Sequence, residues 1–250
     1  VAVASYLEGH PAHCVPVLEV GLKLEIVDGC HPLIARPVGN SIVLDQRSAL
    51  VTGSNMAGKT TFIKMVGLNV IFGRSLGFCL ASRAVIPAKG VMASIRSEHS
   101  VQSGKSKYFA ELEAIRGFIA RAGRGECSLF LVDELFSGTN TVERLAAGRV
   151  VLESLADQAL VLATTHDVEL QEDLGSRYGL YHFQENPDIE GYFDYRLRAG
   201  RSSQRNAIRL LEREGFPAGI VAGALALAYG GFSYTKDTTA VKLGPLELTV

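Results

Sequence analysis

The sequence carries no excess of charge of either sign: 25 Lys and Arg stand against 26 Asp and Glu in 250 residues, a formal net charge of -1. That argues against a freestanding basic module that grips nucleic acid through phosphate contacts alone, and leaves room only for a local basic patch. Cysteine is scarce. Cys14, Cys30, Cys79 and Cys127 are widely scattered with no C-x-x-C pair, so reduced, partly buried thiols are expected rather than a disulfide framework. Long apolar runs are missing as well. The longest, Ala218 to Ala228, falls well short of the roughly 20 residues that span a bilayer. No basic segment followed by an apolar stretch opens the chain. A cytoplasmic protein without membrane contact from this segment is the expectation. The chain begins at Val1 rather than Met, which fits a piece of a longer protein.

Apolar residues make up 47% of the chain, ordinary for a globular fold and ample for a buried core. There is no internal repeat or low-complexity block. Residues 17–28 alternate in the manner of β structure, and Ser41 to Leu44 is a short strand candidate. Three short apolar runs, SALVT (48–52), SLFLV (128–132) and ALVLA (159–163), lack alternation, as strands covered on both faces do. Between them lie helical patterns: Thr60 to Phe72, with Ile63, Val66, Gly67, Val70 and Ile71 inward, and Thr141 to Leu155, with Leu145, Ala146, Val150 and Leu152 inward. Strands alternating with helices imply an α/β domain with a largely parallel sheet. Tyr192 to Leu197 alternates like an antiparallel strand. Asn206 to Arg213 and Ile220 to Ala228 read as C-terminal helices broken at Gly215-Phe216-Pro217, and Gly230 to Val250 has short β-like runs without a functional reading.

Gly53-Ser54-Asn55-Met56-Ala57-Gly58-Lys59-Thr60 fits G-x-x-x-x-G-K-[ST] at every position. A chain that wraps a phosphate must turn several N–H groups inward, which calls for glycine at Gly53 and Gly58. The helix that follows adds unpaired N–H groups and the positive end of its dipole. Lys59 can reach phosphate oxygens as a point charge, and the Thr60 hydroxyl suits Mg²⁺, which prefers oxygen. The bland alternative is a chance glycine loop, but a buried strand runs straight in and an amphipathic helix straight out. Leu129 to Val132 then ends in Asp133-Glu134. Asp133 can hold Mg²⁺ and Glu134 can orient and deprotonate an attacking water, or the two acids are merely a solvated strand end. Thr164-Thr165-His166-Asp167 closes the third strand, where His166 can contact a γ-phosphate or water, or be structural. His10, His13, His31, His99 and His182 show no metal-like spacing.

Together the segments GSNMAGKTT, FIKMVGLN, GKSKYFAEL, LFLVDELFSGTNT and ATTHD resemble the ATPase domain of MutS-type DNA mismatch repair proteins, an ABC-type P-loop NTPase. The Asn55-Met56 pair inside the loop is the sharpest point of likeness. His31-Pro32 and Asn40 resemble the lead-in to the loop, and Phe193 to Leu197, Gly200 and Asn206-Ala207 its closing strand and helices. Ser54 in place of Pro, Ala57 in place of Gly, and the Leu135 to Thr141 segment depart from the repair proteins and look more like the bacterial MutS-related branch. The resemblance implies residues 1–23 as the remnant of a preceding segment, 24–228 as the ATPase domain and 229–250 as a tail.

It also implies ATP and Mg²⁺, with the nucleotide against Gly53 to Thr60, Thr61 and Asn40, Asn40 lying near the base or ribose. Thr60 and Asp133 would hold the metal, and Lys59, Glu134 and His166 would act on the phosphates and water. Two such domains would pair head to tail, as a homodimer or with a homologous subunit. Ser106, in the Gly104 to Leu112 segment, would cap the partner's nucleotide; the plain alternative is an ordinary helix cap with Glu111 on a solvated face. DNA would be gripped through segments outside this chain, and the ATP cycle would move that clamp. Other ABC-type engines, or a scaffold that dimerises on ATP with little turnover, are the competing readings. No LSGGQ-like signature of a transporter subunit is present. The run Arg198, Arg201, Arg205, Arg209 and Arg213 reads more readily as a solvated face balanced by Glu212 and Glu214 than as a phosphate grip.

Overall fold

The computed structural model describes residues 2–9, 12–54, 56–95, 107–136, 139–186, 192–201, 211–212, 214–229, 241–243 and 246–248. It divides into two compact units, Val1–Ser203 and Gln204–Val250. The first unit is built on two sheets. Six strands lie in the order β10-β9-β4-β8-β7-β6: Phe193–Ala199, Tyr178–Glu185, Ser48–Thr52, Leu160–Thr165, Cys127–Asp133 and Gly90–Ser94. All neighbours run parallel except β10, which pairs antiparallel with β9 at one edge. The second sheet has the order β1-β5-β2-β3, with strands Val17–Glu19, Arg83–Pro87, Lys23–Gly29 and Asn40–Asp45. Its β2 is antiparallel to both neighbours, while β1 joins β5 in parallel. This is the expected mainly parallel α/β sheet flanked by helices, with an antiparallel β part.

Helix α2 (Lys59–Ser75) packs against strands of both sheets. One core gathers Ile63, Val66 and Val70 of α2 with Leu24 and Ile26 of β2 and Leu129 and Leu131 of β7. On the opposite face of the six-stranded sheet, Phe130 and Val132 of β7 pack with Phe118 of α3 (Lys107–Gly123) and Leu152 and Leu155 of α4 (Thr141–Ala156). Successive strand residues point to opposite faces, so a strand between two cores must be apolar throughout. That is why β4, β7 and β8 show no alternation in sequence and are buried at every position.

Two helix faces differ from the periodicity reading. Ile71 is 47% exposed, whereas Phe62, Met65 and Asn69 of α2 are buried. A helix between two sheets is covered over most of its girth, and a single stripe does not describe it. In α4 the buried residues are Gly148, Leu152 and Leu155, while Ala146 faces out and Val150 is 65% exposed. Val150 precedes Leu152 by two residues, roughly 200° around the helix, so the two cannot share a face. Asn140 caps α4 by accepting from Glu143 N at 3.0 Å, the usual device for an orphan first-turn N–H.

The segment before Leu24 is joined to this unit. Cys14 and Cys79 exchange backbone hydrogen bonds of 2.9 and 2.8 Å. All four cysteines are free thiols, as expected, and burial pushes the Cys79 thiol up to about 12. Strands β5, β6 and β9 have no counterpart among the expected elements. In the second unit, α6 (Ala218–Tyr229) follows a turn at Gly215, and β11 (Val241–Leu243) pairs antiparallel with β12 (Leu246–Leu248). Most of the expected Asn206 to Arg213 helix, with Arg205, Arg209 and Arg213, lies outside the described residues. No helix among the described residues is long and apolar enough to cross a membrane.

Candidate functional site

Strand β4 delivers the glycine loop to the start of α2. Gly53 has φ 150° and Gly58 φ 106°, both in the region that glycine tolerates. At Gly53 space enforces the choice too: a Cβ there would sit 2.9 Å from the Phe183 carbonyl oxygen of β9. Met56 also has a left-handed φ, 71°, and its side chain is 84% exposed. Ala57 is buried, and its N–H donates to Ser54 O at 3.3 Å. Gly58 gives α2 no side-chain cap. The first-turn amides, which have no partner within a helix, are therefore turned toward the loop. Asn55 lies outside the described residues.

Lys59 folds back into this loop. Its Nζ donates to Gly53 O at 2.7 Å and Ser54 O at 2.9 Å, and stands 3.8 Å from Glu134 Oε1. The ammonium is 4% exposed and the Glu134 carboxylate 8%. Thr60 Oγ1 donates to Asp133 Oδ2 at 2.9 Å, and Thr164 Oγ1 donates to Asp133 Oδ1 at 2.5 Å. The carboxyl ends of β7 and β8 thus meet the first turn of α2, the crevice where ligands sit in open α/β sheets.

Glu134 turns away from the strand with φ 52°, its N–H donating to Thr164 O at 3.0 Å. Its Oε1 lies 4.0 Å from His166 Nδ1, and His166 Nε2 lies 3.7 Å from Asp167 Oδ1. Asp167 in turn receives two hydrogen bonds of 2.8 Å from Arg144 on α4. Burial pushes the Asp167 carboxyl up, but the Arg144 bonds, His166 and Thr165 outweigh it and hold the group below its ordinary value.

A cavity of about 590 Å³ opens beside the loop. Ser54, Met56, Gly58, Lys59, Thr60, Thr61 and Glu134 line one side, and His31, Ile34, Pro37, Val38 and Asn40 the other. Burial, and next the charge of Lys64, hold the His31 imidazole below its usual value. Asn40 lines the cavity, but its amide is engaged with β10: Nδ2 donates to Tyr195 O at 2.9 Å and Oδ1 accepts from Leu197 N at 2.7 Å. It thereby fixes Tyr195, whose ring Cδ1 would lie 3.3 Å from a Cβ on Gly58.

The structure therefore gathers Gly53, Ser54, Met56, Ala57, Gly58, Lys59, Thr60, Thr61, Asn40, Asp133, Glu134 and His166 about one cavity and its rear wall. Ser106 lies outside the described residues. Glu111 is not solvated as its plain reading has it: it accepts a hydrogen bond from Phe136 N at 2.6 Å. Sequence reasoning missed Thr164, Arg144, Asp167 and Tyr195 as contributors. Thr164 and Asp167 lie with His166 in the ATTHD turn, a signal within reach; nothing in the sequence pairs Arg144 with Asp167. The donor set suits a magnesium nucleotide: glycine-lined backbone and a lysine for phosphate, and oxygens alone, from Thr60 and Asp133, for a hard cation. Among the described residues no cluster of three His, Cys, Asp or Glu side chains could hold a metal ion.

The model of MutS domain V matches residues 49–229, well over half of the chain. Endonuclease MutS2 of Thermus thermophilus is 32% identical over 212 residues, covering 83% of this chain and 28% of that protein. DNA mismatch repair protein MutS of Thermus aquaticus is 30% identical over 213 residues, covering 83% and 26%. Endonuclease MutS2 of Clostridium botulinum (strain Loch Maree) is 30% identical over 229 residues, covering 88% and 29%. The chain spans less than a third of the length of these relatives. The chain belongs to the MutS family and carries that family's ATPase domain, domain V.

Proposed function

We propose that this chain binds ATP with Mg²⁺ and hydrolyses it as one half of a head-to-tail pair, with a second copy or a homologous ATPase subunit. Its cycle would drive the movement of a DNA clamp built from segments outside this chain. The observation that carries the reading is the approach of Lys59, Thr60, Asp133, Glu134 and His166 at the carboxyl ends of β7 and β8. In operation Lys59 exchanges its bonds to Gly53 O and Ser54 O for phosphate oxygens, a small motion within one pocket. Thr60 and Asp133 would hold Mg²⁺, which when bound would offset negative charge on the phosphates. Glu134, displaced from the strand by its own backbone turn, orients and deprotonates water, and His166 beside it fixes the geometry. Ser106 completes the partner's site, and Asn40 shapes the base or ribose end of the pocket through Tyr195.

Titration with a fluorescent ATP analogue and steady-state phosphate release test this. Lys59→Ala is expected to lose nucleotide binding; near-normal affinity overturns the phosphate-loop assignment. Glu134→Gln is expected to bind ATP and barely turn it over, and full turnover removes Glu134 as the base. Mixed Ser106→Ala and Glu134→Gln subunits should regain one working site. DNA stimulation of turnover supports the clamp reading, whereas ATP-dependent pairing without turnover supports a nucleotide-gated scaffold.

A further inference from the structure

We propose that Glu111 is a positioning residue that ties helix α3 to the orientation of Glu134 in the same chain, so that the state of one composite site is felt in the other. This rests on the paired-site reading above. Glu111 sits one turn into α3, whose first residue, Lys107, directly follows Ser106. Its Oε1 accepts from Phe136 N at 2.6 Å, bridging 25 residues of sequence. A carboxylate on a backbone N–H is a charge-assisted bond, shorter and stronger than a neutral one.

The turn that receives this bond is an unusual one. Glu134 and Phe136, neither of them glycine, have φ of 52° and 56°. Such conformations persist only where the surroundings over-determine them. One peg comes from the sheet, where Glu134 N donates to Thr164 O. A second comes from α3, through Glu111. The Phe136 ring, 2% exposed, is packed in the core with Ile115 and Phe118 of the same helix. A small shift of α3 therefore acts on the backbone two residues beyond the carboxylate, through both a hydrogen bond and a packed ring. The N-terminal end of α3 faces the partner's nucleotide in the paired-site reading, whereas Glu134 serves the chain's own nucleotide. Glu111 is thus placed to pass occupancy of the partner's site to the water-activating group of its own, through contiguous contacts.

The test uses the chain with two affinity tags, so that mixed pairs are purified and confirmed before assay. Glu111→Ala is expected to lower kcat at least tenfold while ATP affinity stays within twofold. Glu111→Gln keeps an acceptor oxygen and should retain turnover within about threefold of the parent. Unchanged kcat in Glu111→Ala, or equal losses of kcat and affinity in both variants, overturns the proposal.

Mixed pairs decide the direction of action. A Glu111→Ala subunit paired with a Glu134→Gln subunit should show no rescue, because both lesions strike a chain's own site. Rescue there means Glu111 acts on the partner's nucleotide, and overturns the proposal. Failure of the Ser106→Ala and Glu134→Gln rescue instead overturns the paired-site reading, leaving the split between kcat and affinity in unmixed Glu111 variants to judge the link to Glu134.

Discussion

Thr164→Val tests how the rear wall of the site is held together. The substitution keeps the shape of the side chain and removes one hydroxyl. In the structure that hydroxyl donates at 2.5 Å to Asp133 Oδ1, with Thr164 1% and Asp133 3% exposed. A hydrogen bond to a charged group contributes about 1.5–3 kcal/mol, and water cannot reach so buried an oxygen to replace it. For a chain of this size each kcal/mol shifts Tm by roughly 2–4 °C, so Thr164→Val should melt roughly 3–12 °C lower. Thr164→Ser, which keeps the donor, should recover most of the loss. A cycle with Asp133→Ala, which removes the acceptor, isolates the pair: the two substitutions should be strongly non-additive. The measurement is denaturant unfolding followed by circular dichroism, with nucleotide absent. A Thr164→Val protein within about 0.5 kcal/mol of the parent, or additive losses in the cycle, would refute the claim that Thr164 holds the Asp133 carboxylate.

Two further outcomes follow from the same geometry. Arg144→Met leaves the Asp167 carboxylate buried beside His166 without its bidentate partner, a loss of roughly 3–5 kcal/mol at pH 7. The native Asp167 lies below its ordinary value of 3.8, so its contribution is present above that pH and lost as pH falls through the depressed value. The gap between parent and Arg144→Met, read from urea midpoints, should accordingly narrow below about pH 3.8; a gap unchanged down to pH 2 contradicts the pairing. Gly53→Ala would force a Cβ to 2.9 Å from Phe183 O at φ 150°. Strain of about 1–3 kcal/mol and a marked loss of nucleotide affinity are expected by calorimetry, and a variant that binds and melts like the parent would be inconsistent with the loop described.

Much of the candidate site is legible because the residues brought together lie in short local segments. Lys59 and Thr60 follow the loop they serve, and Asp133-Glu134 and His166 each end an apolar strand. What escaped depends on tertiary placement. Arg144 looks like an ordinary helix arginine until β8 brings Asp167 beneath it. Asn40 lines the cavity, yet its amide grips β10, a strand some 155 residues away in sequence. The periodicity of α2 suggested one inward stripe, because a sequence records which residues are apolar and not how many layers will enclose them. Strands β5 and β6 are short and lie close together, and neither their burial nor their partners announce themselves in the residues alone.

The double coverage of the central strands has a consequence for how this molecule can be perturbed. Along β7, Leu129 and Leu131 belong to the core shared with α2, while Phe130 and Val132 belong to the core shared with α3 and α4. On β8 the same division falls between Leu160 and Leu162 on one side and Val161 and Ala163 on the other. Adjacent residues on a single strand therefore report to different machinery. A trimmed side chain at Leu131 loosens the seat of the helix that begins at Lys59, and one at Phe130, its neighbour in the chain, loosens the seat of the helix that carries Glu111. The sheet acts as a partition with two separately adjustable walls, and the parity of a residue's position decides which wall a substitution moves.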